Sequence, residues 1–234
     1  MSSATATKIT ENSIESEIQK PYLAVKRIAD IIFSTVILSL TAPVMALLVV
    51  LIKMESKGPA FYIQKRVGKS GKVFNVYKLR TMYTDIKEEG GGCTTETNDP
   101  RITKVGKLIR GCSLDEFPQF INILKGEMSY IGPRPISVEE HEFVLSYLKK
   151  ENKSWPQGLF HRVTPGLTGW ALLHGREKIS YEDRFKLNAE YENNISAMFD
   201  AKIFYMTFKK YFFTNFSVFI LFLATVAAAY FILF

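Results

Sequence analysis

Asp115 and Glu116 are adjacent carboxylates that follow Arg110 closely and lead at once into Phe117-Pro118-Gln119. Side by side, two carboxylates can act as a nucleophile, hold a divalent cation, or do both. An arginine beside them can grip a phosphate through two parallel hydrogen bonds. A structural reading competes. Ser113-x-x-Glu116 has the spacing of a capping box, in which Glu116 reaches back to the Ser113 N–H, and acidic side chains favour helix N-termini in any case. Pro118 argues against that cap. It would fall beyond the first helical position, where its missing N–H is felt, and Phe117 before it is biased away from helical angles. If the helix begins at Pro118 instead, both carboxylates stand at its positive end, a setting suited to a phosphate and a metal ion. On the residues alone both readings remain open.

Arg134 is the second candidate. Pro133 and Pro135 flank it and stiffen the backbone, so its guanidinium is either a preset phosphate ligand or a surface arginine on a rigid loop. Other features lead away from chemistry. Gly68-Lys69-Ser70 looks like the end of a phosphate-binding P-loop, but Ile63 stands where that motif needs glycine, and a hairpin turn fits better. His141, His161 and His174 lack metal-ligand spacing and read as solvated or structural. Phe160, Trp170 and Tyr181 read as core or interface aromatics. Cys93 and Cys112 form no Cys-x-x-Cys pair, which argues against a disulfide framework or zinc site and for a reduced compartment.

The elements that must position these residues begin with a membrane candidate. Ile31 to Ile52 carries no charge and is long enough to cross a bilayer. Pro43 at its middle predicts a kink. Lys26 and Arg27 precede it, Lys53 and Lys57 follow it, and positive residues at both flanks pull both ends to one face. A helix-break-helix that enters one leaflet and returns accounts for both features, each half being roughly 20 Å long against a hydrocarbon core of about 30 Å; an ordinary kinked transmembrane helix is the alternative. Residues 61–82 alternate around Gly68-Lys69-Ser70-Gly71 and predict a β-hairpin. Residues 85–100 form a polar loop, either a lid or a solvated connection. Helical patterns cover Ile102 to Ile109, Pro118 to Leu124, Val138 to Lys150 and residues 180–200, while 155–176, rich in Pro and Gly, reads as loop. Tyr211 to Phe234 is again uncharged and predicts a spanning or interfacial tail.

These segments divide the chain into a disordered extension (1–20), the re-entrant membrane helix (21–57), a catalytic domain (58–205) and a hydrophobic membrane tail (206–234). The fold class is mainly α with a small β-hairpin (α+β), with interfacial helices on the cytosolic domain. The 234 residues carry a formal charge of +7. No nucleic-acid motif accompanies the basic excess, which points to anionic lipid or phosphorylated small molecules. The N-terminus lacks the charged-then-apolar order of a signal peptide.

Taken together, ordered stretches from Lys26 to Arg176 resemble the small monotopic polyprenol-phosphate phosphoglycosyl transferases. They are Lys26-Arg27-x-x-Asp30, Gln64-Lys65-Arg66-Val67-Gly68, Tyr77-Lys78-Leu79-Arg80-Thr81-Met82 and Asp99-Pro100-Arg101-Ile102-Thr103. They continue through Ser113-Leu114-Asp115-Glu116-Phe117-Pro118-Gln119 and Leu124-Lys125-Gly126-Glu127-Met128-Ser129 to Gly132-Pro133-Arg134-Pro135. The resemblance implies a ping-pong reaction in which Asp115 attacks a UDP-sugar, UMP leaves, and polyprenol phosphate takes the phospho-sugar. It implies Mg²⁺ held by Asp115 and Glu116, with Glu116 also assisting catalysis. It implies substrate or phosphate contacts from Arg110, Arg134, Pro133, Pro135, Lys78, Arg80 and Arg101. It places the chain on the cytoplasmic face of a bacterial inner membrane, with membrane lipid and no nucleic acid as partner and the oligomeric state open. Leu172 and His174 stand where the family usually has two amides, and the apolar tail is unusual for small members. A non-catalytic scaffold of a glycan-assembly complex, or a basic adaptor binding anionic lipid through Lys26, Arg27, Lys53 and Lys57, would need no Asp115–Glu116 pair.

Overall fold

A computed structural model describes residues 19–84, 99–151, 161–175 and 179–214. The expected disordered extension (but for its last two residues), most of the polar loop with Cys93, Phe160, Arg176 and the tail beyond Thr214 lie outside the described residues.

Helix α1 (Gln19–Glu55) runs for 37 residues with Pro43 inside it. Asp30, Ser34, Thr41, Leu48 and Ile52 are buried, at the helical steps that place side chains on one stripe. Val25, Ile28, Ile32, Val36, Leu40, Leu47 and Val50 are exposed. The Thr41 hydroxyl donates to the Ile37 carbonyl at 2.7 Å, a back-bond that tends to bend a helix, two residues before the proline. Pro21–Glu55 is long and apolar enough to cross a membrane by length and composition, with a mean hydropathy of 2.6 over its 18-residue apolar window.

Polar side chains buckle this helix to the rest of the fold along its length. Arg27 donates to the carbonyls of Ile123 and Leu124, closing the C-terminus of α3 (Gln119–Lys125). Lys26 meets Asp200 at 2.5 Å, and Asp30 accepts the Tyr130 N–H at 2.9 Å. At the other end Glu55 accepts the N–H groups of Lys104 and Val105 at 2.6 and 2.9 Å, capping α2 (Lys104–Gly111). Lys26 and Arg27, expected as charged membrane flanks, are thus engaged with the protein.

Strands β1 (Phe61–Val67) and β2 (Val73–Leu79) form the expected hairpin, and Lys69–Gly71 is a 3-10 turn at its tip. Two further pairings were not expected. Strand β3 (Ser129–Ile131) pairs in parallel with β5 (Gly166–Thr168), and β4 (Ile136–Ser137) adds to the free edge of β1. Helix α4 (Val138–Lys150) has the expected bounds. The segment expected as loop, 155–176, also contains helix α5 (Trp170–Leu173). The helix expected over 180–200 is two: α6 (Tyr181–Asn193) and α7 (Ala197–Thr214). Asn194 closes the first through bonds to the Glu190 and Tyr191 carbonyls, and the Ser196 hydroxyl accepts the Phe199 N–H to start the second. The expected domain boundary at 205/206 falls inside α7.

Apolar contacts gather in clusters, and α1 joins three of them. Leu48 and Ile52 pack with Leu79 and Ile109, Phe33 and Ile37 against Phe120 and Ile123, and Tyr22 and Leu23 against Ile131, Tyr191 and Ile203. Each fully buried aliphatic side chain contributes roughly 1.5–3 kcal/mol, so α1 is part of the folded body rather than an appendage to it.

Candidate active site

The Asp115 turn hangs between α2 and α3. Thr103 caps α2 by accepting the Gly106 N–H at 2.8 Å. A side chain at Gly106 would place Cβ 2.1 Å from the Thr81 carbonyl, so glycine lets α2 sit directly on the end of β2. Arg110, in the last turn of α2, donates from Nε to the Thr81 hydroxyl at 2.8 Å. The chain then leaves the helix through Ser113 in the left-handed region (φ 55°, ψ 24°), uncommon and costly for a residue with a side chain. One 3-10 turn, Leu114–Glu116, presents the carboxylates before Pro118 opens α3. The capping box does not form, since Ser113 makes no side-chain cap bond; the alternative start at Pro118 is the one adopted. Because α3 has only seven residues, the positive field at the carboxylates comes from cationic side chains rather than a long helix dipole.

Those cations come from neighbouring strands and helices. Lys78 of β2 places Nζ 3.4 Å from the buried Glu116 carboxylate. Burial pushes the Lys78 ammonium below its ordinary 10.5, and Arg66 and Arg134 add repulsion that Glu116 and Asp115 oppose. Burial pushes the Asp115 carboxyl above its ordinary 3.8, Glu116 adds to this, and Lys78 and Arg110 pull it back. Asp115, Glu116, Lys78, Arg110, Arg66 and Arg134 therefore share one electrostatic neighbourhood. Asp115 and Glu116 offer adjacent hard oxygen donors, which suits Mg²⁺ completed by phosphate oxygens of a substrate. Among the described residues no group of three or more His, Cys, Asp or Glu gathers around a common point, so the protein's share of such a site would be this pair.

Arg134 sits on a turn held from three sides. The Pro133 carbonyl accepts the Gly166 N–H at 2.8 Å. The Arg134 carbonyl faces His161 Nε2 at 3.2 Å, and the Pro135 carbonyl accepts Arg66 Nη1 at 2.7 Å. Gly132 and Gly166 cross in contact: a Cβ on Gly166 would lie 2.1 Å from the Gly132 nitrogen. Pro133 and Pro135 are buried and act through backbone shape. Arg66 was not expected in the site. Its signal was present, since Gln64 and Arg66 alternate onto one face of β1 within a matched stretch, and Gln64 Oε1 takes two of its N–H groups.

Two expected phosphate ligands have other partners. Arg80 is buried, and its guanidinium donates to the carbonyls of Lys57 and Ser56 at 2.6 and 2.8 Å, closing the C-terminal end of α1. Arg101 forks onto Asp99, with Nη2–Oδ2 at 2.7 Å. Leu172 is buried, and His174 sets its ring edge against Trp170, centroids 4.0 Å apart, with Nδ1 2.9 Å from the Trp170 carbonyl. Tyr181 stacks on Phe185, as expected of a packing aromatic.

Comparison with known proteins gives the family of the chain. The profile of the family described as bacterial sugar transferase matches residues 21–214. The chain is 37% identical over 202 residues to an undecaprenyl-phosphate glucose phosphotransferase of Komagataeibacter xylinus, covering 81% of this chain and 36% of that protein. It is 40% identical over 190 residues to a UDP-glucose:undecaprenyl-phosphate glucose-1-phosphate transferase of Escherichia coli, covering 78% and 39%. It is 36% identical over 188 residues to the uncharacterized sugar transferase EpsL of Bacillus subtilis, covering 80% and 87%. The chain thus spans little more than a third of the two larger relatives and most of EpsL.

Proposed function

Because the chain belongs to the bacterial sugar transferase family, we propose that it transfers a sugar-1-phosphate from a UDP-sugar to polyprenol phosphate, with Asp115 as a covalent nucleophile. The observation that carries this reading is a half-buried Asp115 whose neighbours are Glu116, Lys78 and Arg110. A carboxylate Oδ of Asp115 attacks the sugar-bearing phosphorus, and the bond to the UMP oxygen breaks. An oxygen of polyprenol phosphate then attacks that phosphorus, releasing Asp115 and forming the diphosphate-linked sugar. Lys78 and Arg110 stabilise negative charge spread over the phosphoryl oxygens. Arg134 binds donor phosphate from its fixed turn. Glu116 keeps Lys78 in place and shares the metal. When bound, Mg²⁺ neutralises the diphosphate and orients it.

The acceptor's lipid nature fits α1. Both ends of this helix are tied to one folded body, through Arg27 and Lys26 at one end and Glu55 and Arg80 at the other. A full crossing would separate those ends by about 30 Å of hydrocarbon. In this reading the exposed apolar stripe dips into one leaflet without crossing it, with the body on the cytoplasmic face of the bacterial inner membrane; α1 itself runs as one helix through Pro43. Lys26 and Arg27 are occupied inside the protein, which removes two of the four ligands of the lipid-adaptor alternative. The names of two relatives support glucose as a donor sugar, and a further relative, 38% identical, is named for N-acetylgalactosamine.

The test is UMP release from a panel of UDP-sugars with Mg²⁺ and a short polyprenol phosphate. Wild type should turn over one donor, and Asp115→Asn should lose at least ~10⁴-fold. Turnover retained in Asp115→Asn would sink the covalent mechanism, and no turnover with any donor by folded, membrane-bound protein would favour a scaffold.

A further inference from the structure

The geometry points to His161 and Glu192 as positioning residues for Arg134. This rests on the proposed reading of Arg134 as a donor-phosphate ligand. Neither residue lies near Asp115 in sequence, and Glu192 comes from the far end of α6.

Prolines on both sides of Arg134 remove two of the N–H groups with which a turn could tie itself. Its three successive carbonyls depend on donors from elsewhere. Gly166 supplies one from a strand and Arg66 another from the hairpin. The carbonyl of Arg134 itself depends on an imidazole. To donate there, His161 must carry its proton on Nε2. The opposite nitrogen, Nδ1, stands 3.4 Å from Glu192 Oε1, at ion-pair distance without hydrogen-bond alignment. The ring thus stands between the Arg134 carbonyl, to which it is hydrogen-bonded, and the Glu192 carboxylate, which lies at ion-pair distance behind it. Its own backbone is pinned as well, because the His161 carbonyl accepts the Ser70 N–H at 2.7 Å.

His161 is 2% exposed and Glu192 4% exposed. Arg162 also reaches Glu192, from Nε at 3.1 Å and from its backbone N–H at 3.3 Å. Burying such a group of charges is weak grounds for stability, since an apolar replacement of the same shape is often as stable. What the group does achieve is to aim one N–H at the carbonyl beside Arg134. A carboxylate that orients an imidazole, which in turn orients a ligand, is the arrangement by which outer residues set a site's geometry. Through it, α6 holds the phosphate-binding turn from behind.

The experiment compares wild type, His161→Ala, His161→Gln, Glu192→Gln, Arg134→Ala and the Arg134→Ala/His161→Ala double variant, each checked by thermal melting. Two readouts are used: UMP release against donor and acceptor concentration, and amide exchange of the peptide spanning Gly132–Ser137. His161→Ala should lower kcat/KM for the donor on the order of 10²-fold, leave the acceptor KM unchanged, and speed exchange of that peptide. His161→Gln, whose amide can donate to the same carbonyl, should recover about tenfold, and Glu192→Gln should fall between. In the Arg134→Ala background His161→Ala should add no further loss, because both changes act through one side chain. Losses that multiply in the double variant, or an unchanged exchange rate in both His161 variants, would overturn the proposal while leaving the transferase reading intact. Absence of UMP release by wild type would instead strike the transferase reading, and the exchange data would then decide the His161–Arg134 coupling alone.

Discussion

The turn that carries Asp115 and the turn that carries Arg134 are built in opposite ways. The first is held by local backbone bonds of the 3-10 kind: Ser113 N–H to Arg110 at 3.1 Å, Glu116 N–H to Ser113 at 3.4 Å and Phe117 N–H to Leu114 at 3.3 Å. All are longer than the usual amide bond of about 2.9–3.0 Å. It also passes through a left-handed serine. The second is tied from outside its own turn. Its carbonyls are caught by three separate elements, and glycines cross beneath it in contact. A nucleophile whose bond to phosphorus forms and then breaks must shift by a fraction of an ångström twice per turnover. A phosphate ligand serves best when it does not move at all. The contrast suits these two tasks.

The largest expected effect comes from the residue that faces both carboxylates. Lys78→Met should lower UMP release by about 10²–10³-fold, the usual consequence of removing one charge-stabilising donor. It also removes the ammonium that stands 3.4 Å from the buried Glu116 carboxylate, which should lower the melting midpoint. An active Lys78→Met would mean that Arg110 and Arg134 alone carry the phosphoryl charge.

The two turns should then respond oppositely to glycine and alanine. Gly132→Ala would push Cβ to 2.6 Å from the Thr164 carbonyl and 2.8 Å from the Gly166 nitrogen. We expect a loss of about 3 kcal/mol, as for other overpacked sites, read by chemical denaturation. Ser113→Gly should change stability by less than about 1 kcal/mol, because glycine adopts the left-handed angles without strain but also loses more freedom on folding. If Ser113→Gly proves as harmful as Gly132→Ala, the two turns are equally constrained and the contrast fails.

A smaller effect separates a site cation from a structural one. Arg80→Lys should lower stability by about 1–3 kcal/mol, because an ammonium cannot reach the carbonyls of Lys57, Ser56 and Ile52 together. Its donor KM should stay at the wild-type value. A raised KM at unchanged stability would return Arg80 to the phosphate ligands that motif matching named.

Arg80 shows where sequence reading ends. Motif position could not separate it from Lys78, two residues earlier, although Lys78 is inside β2 and Arg80 lies just past its end. The two side chains share a face by alternation, and only the path of α1 decides that one meets a helix end and the other a carboxylate. The carboxylate pair, the Pro-Arg-Pro turn, the hairpin and the helices around them were legible, because proline and periodicity act locally. Strands β3, β4 and β5 were not legible, being two or three residues long and defined by distant partners. The division of residues 180–200 into α6 and α7 rests on Asn194 and Ser196, whose capping chemistry was present but weaker than the charged helical pattern around it. His161 read as solvated or structural, since nothing in its neighbours says which carbonyl it will face.

The smallest expected effect tests whether the Asp115 turn is strained by its own charge. Burial and Glu116 hold the Asp115 carboxyl above its ordinary 3.8. As pH rises the unfolded chain therefore gives up this proton before the folded one does. Stability tied to the group is complete below about pH 3.8 and declines as pH rises through the higher folded-state value. At neutral pH the ionised carboxylate works against the fold even though the proposed reaction needs it. Asp115→Asn should then raise stability by about 1 kcal/mol, a gain of ~2–4 °C in Tm for a domain of this size. The two proteins should melt together once the pH is low enough to protonate Asp115 in both states. In wild type, kcat/KM for the donor should fall on the acid side at a pH above that of an ordinary aspartate. On the alkaline side it should fall below the ordinary lysine value, because burial lowers Lys78. A drop in Tm for Asp115→Asn at neutral pH would show that Lys78 and Arg110 more than offset the burial of this carboxylate. The looseness of its turn would then need another cause, with the left-handed Ser113 the first place to look.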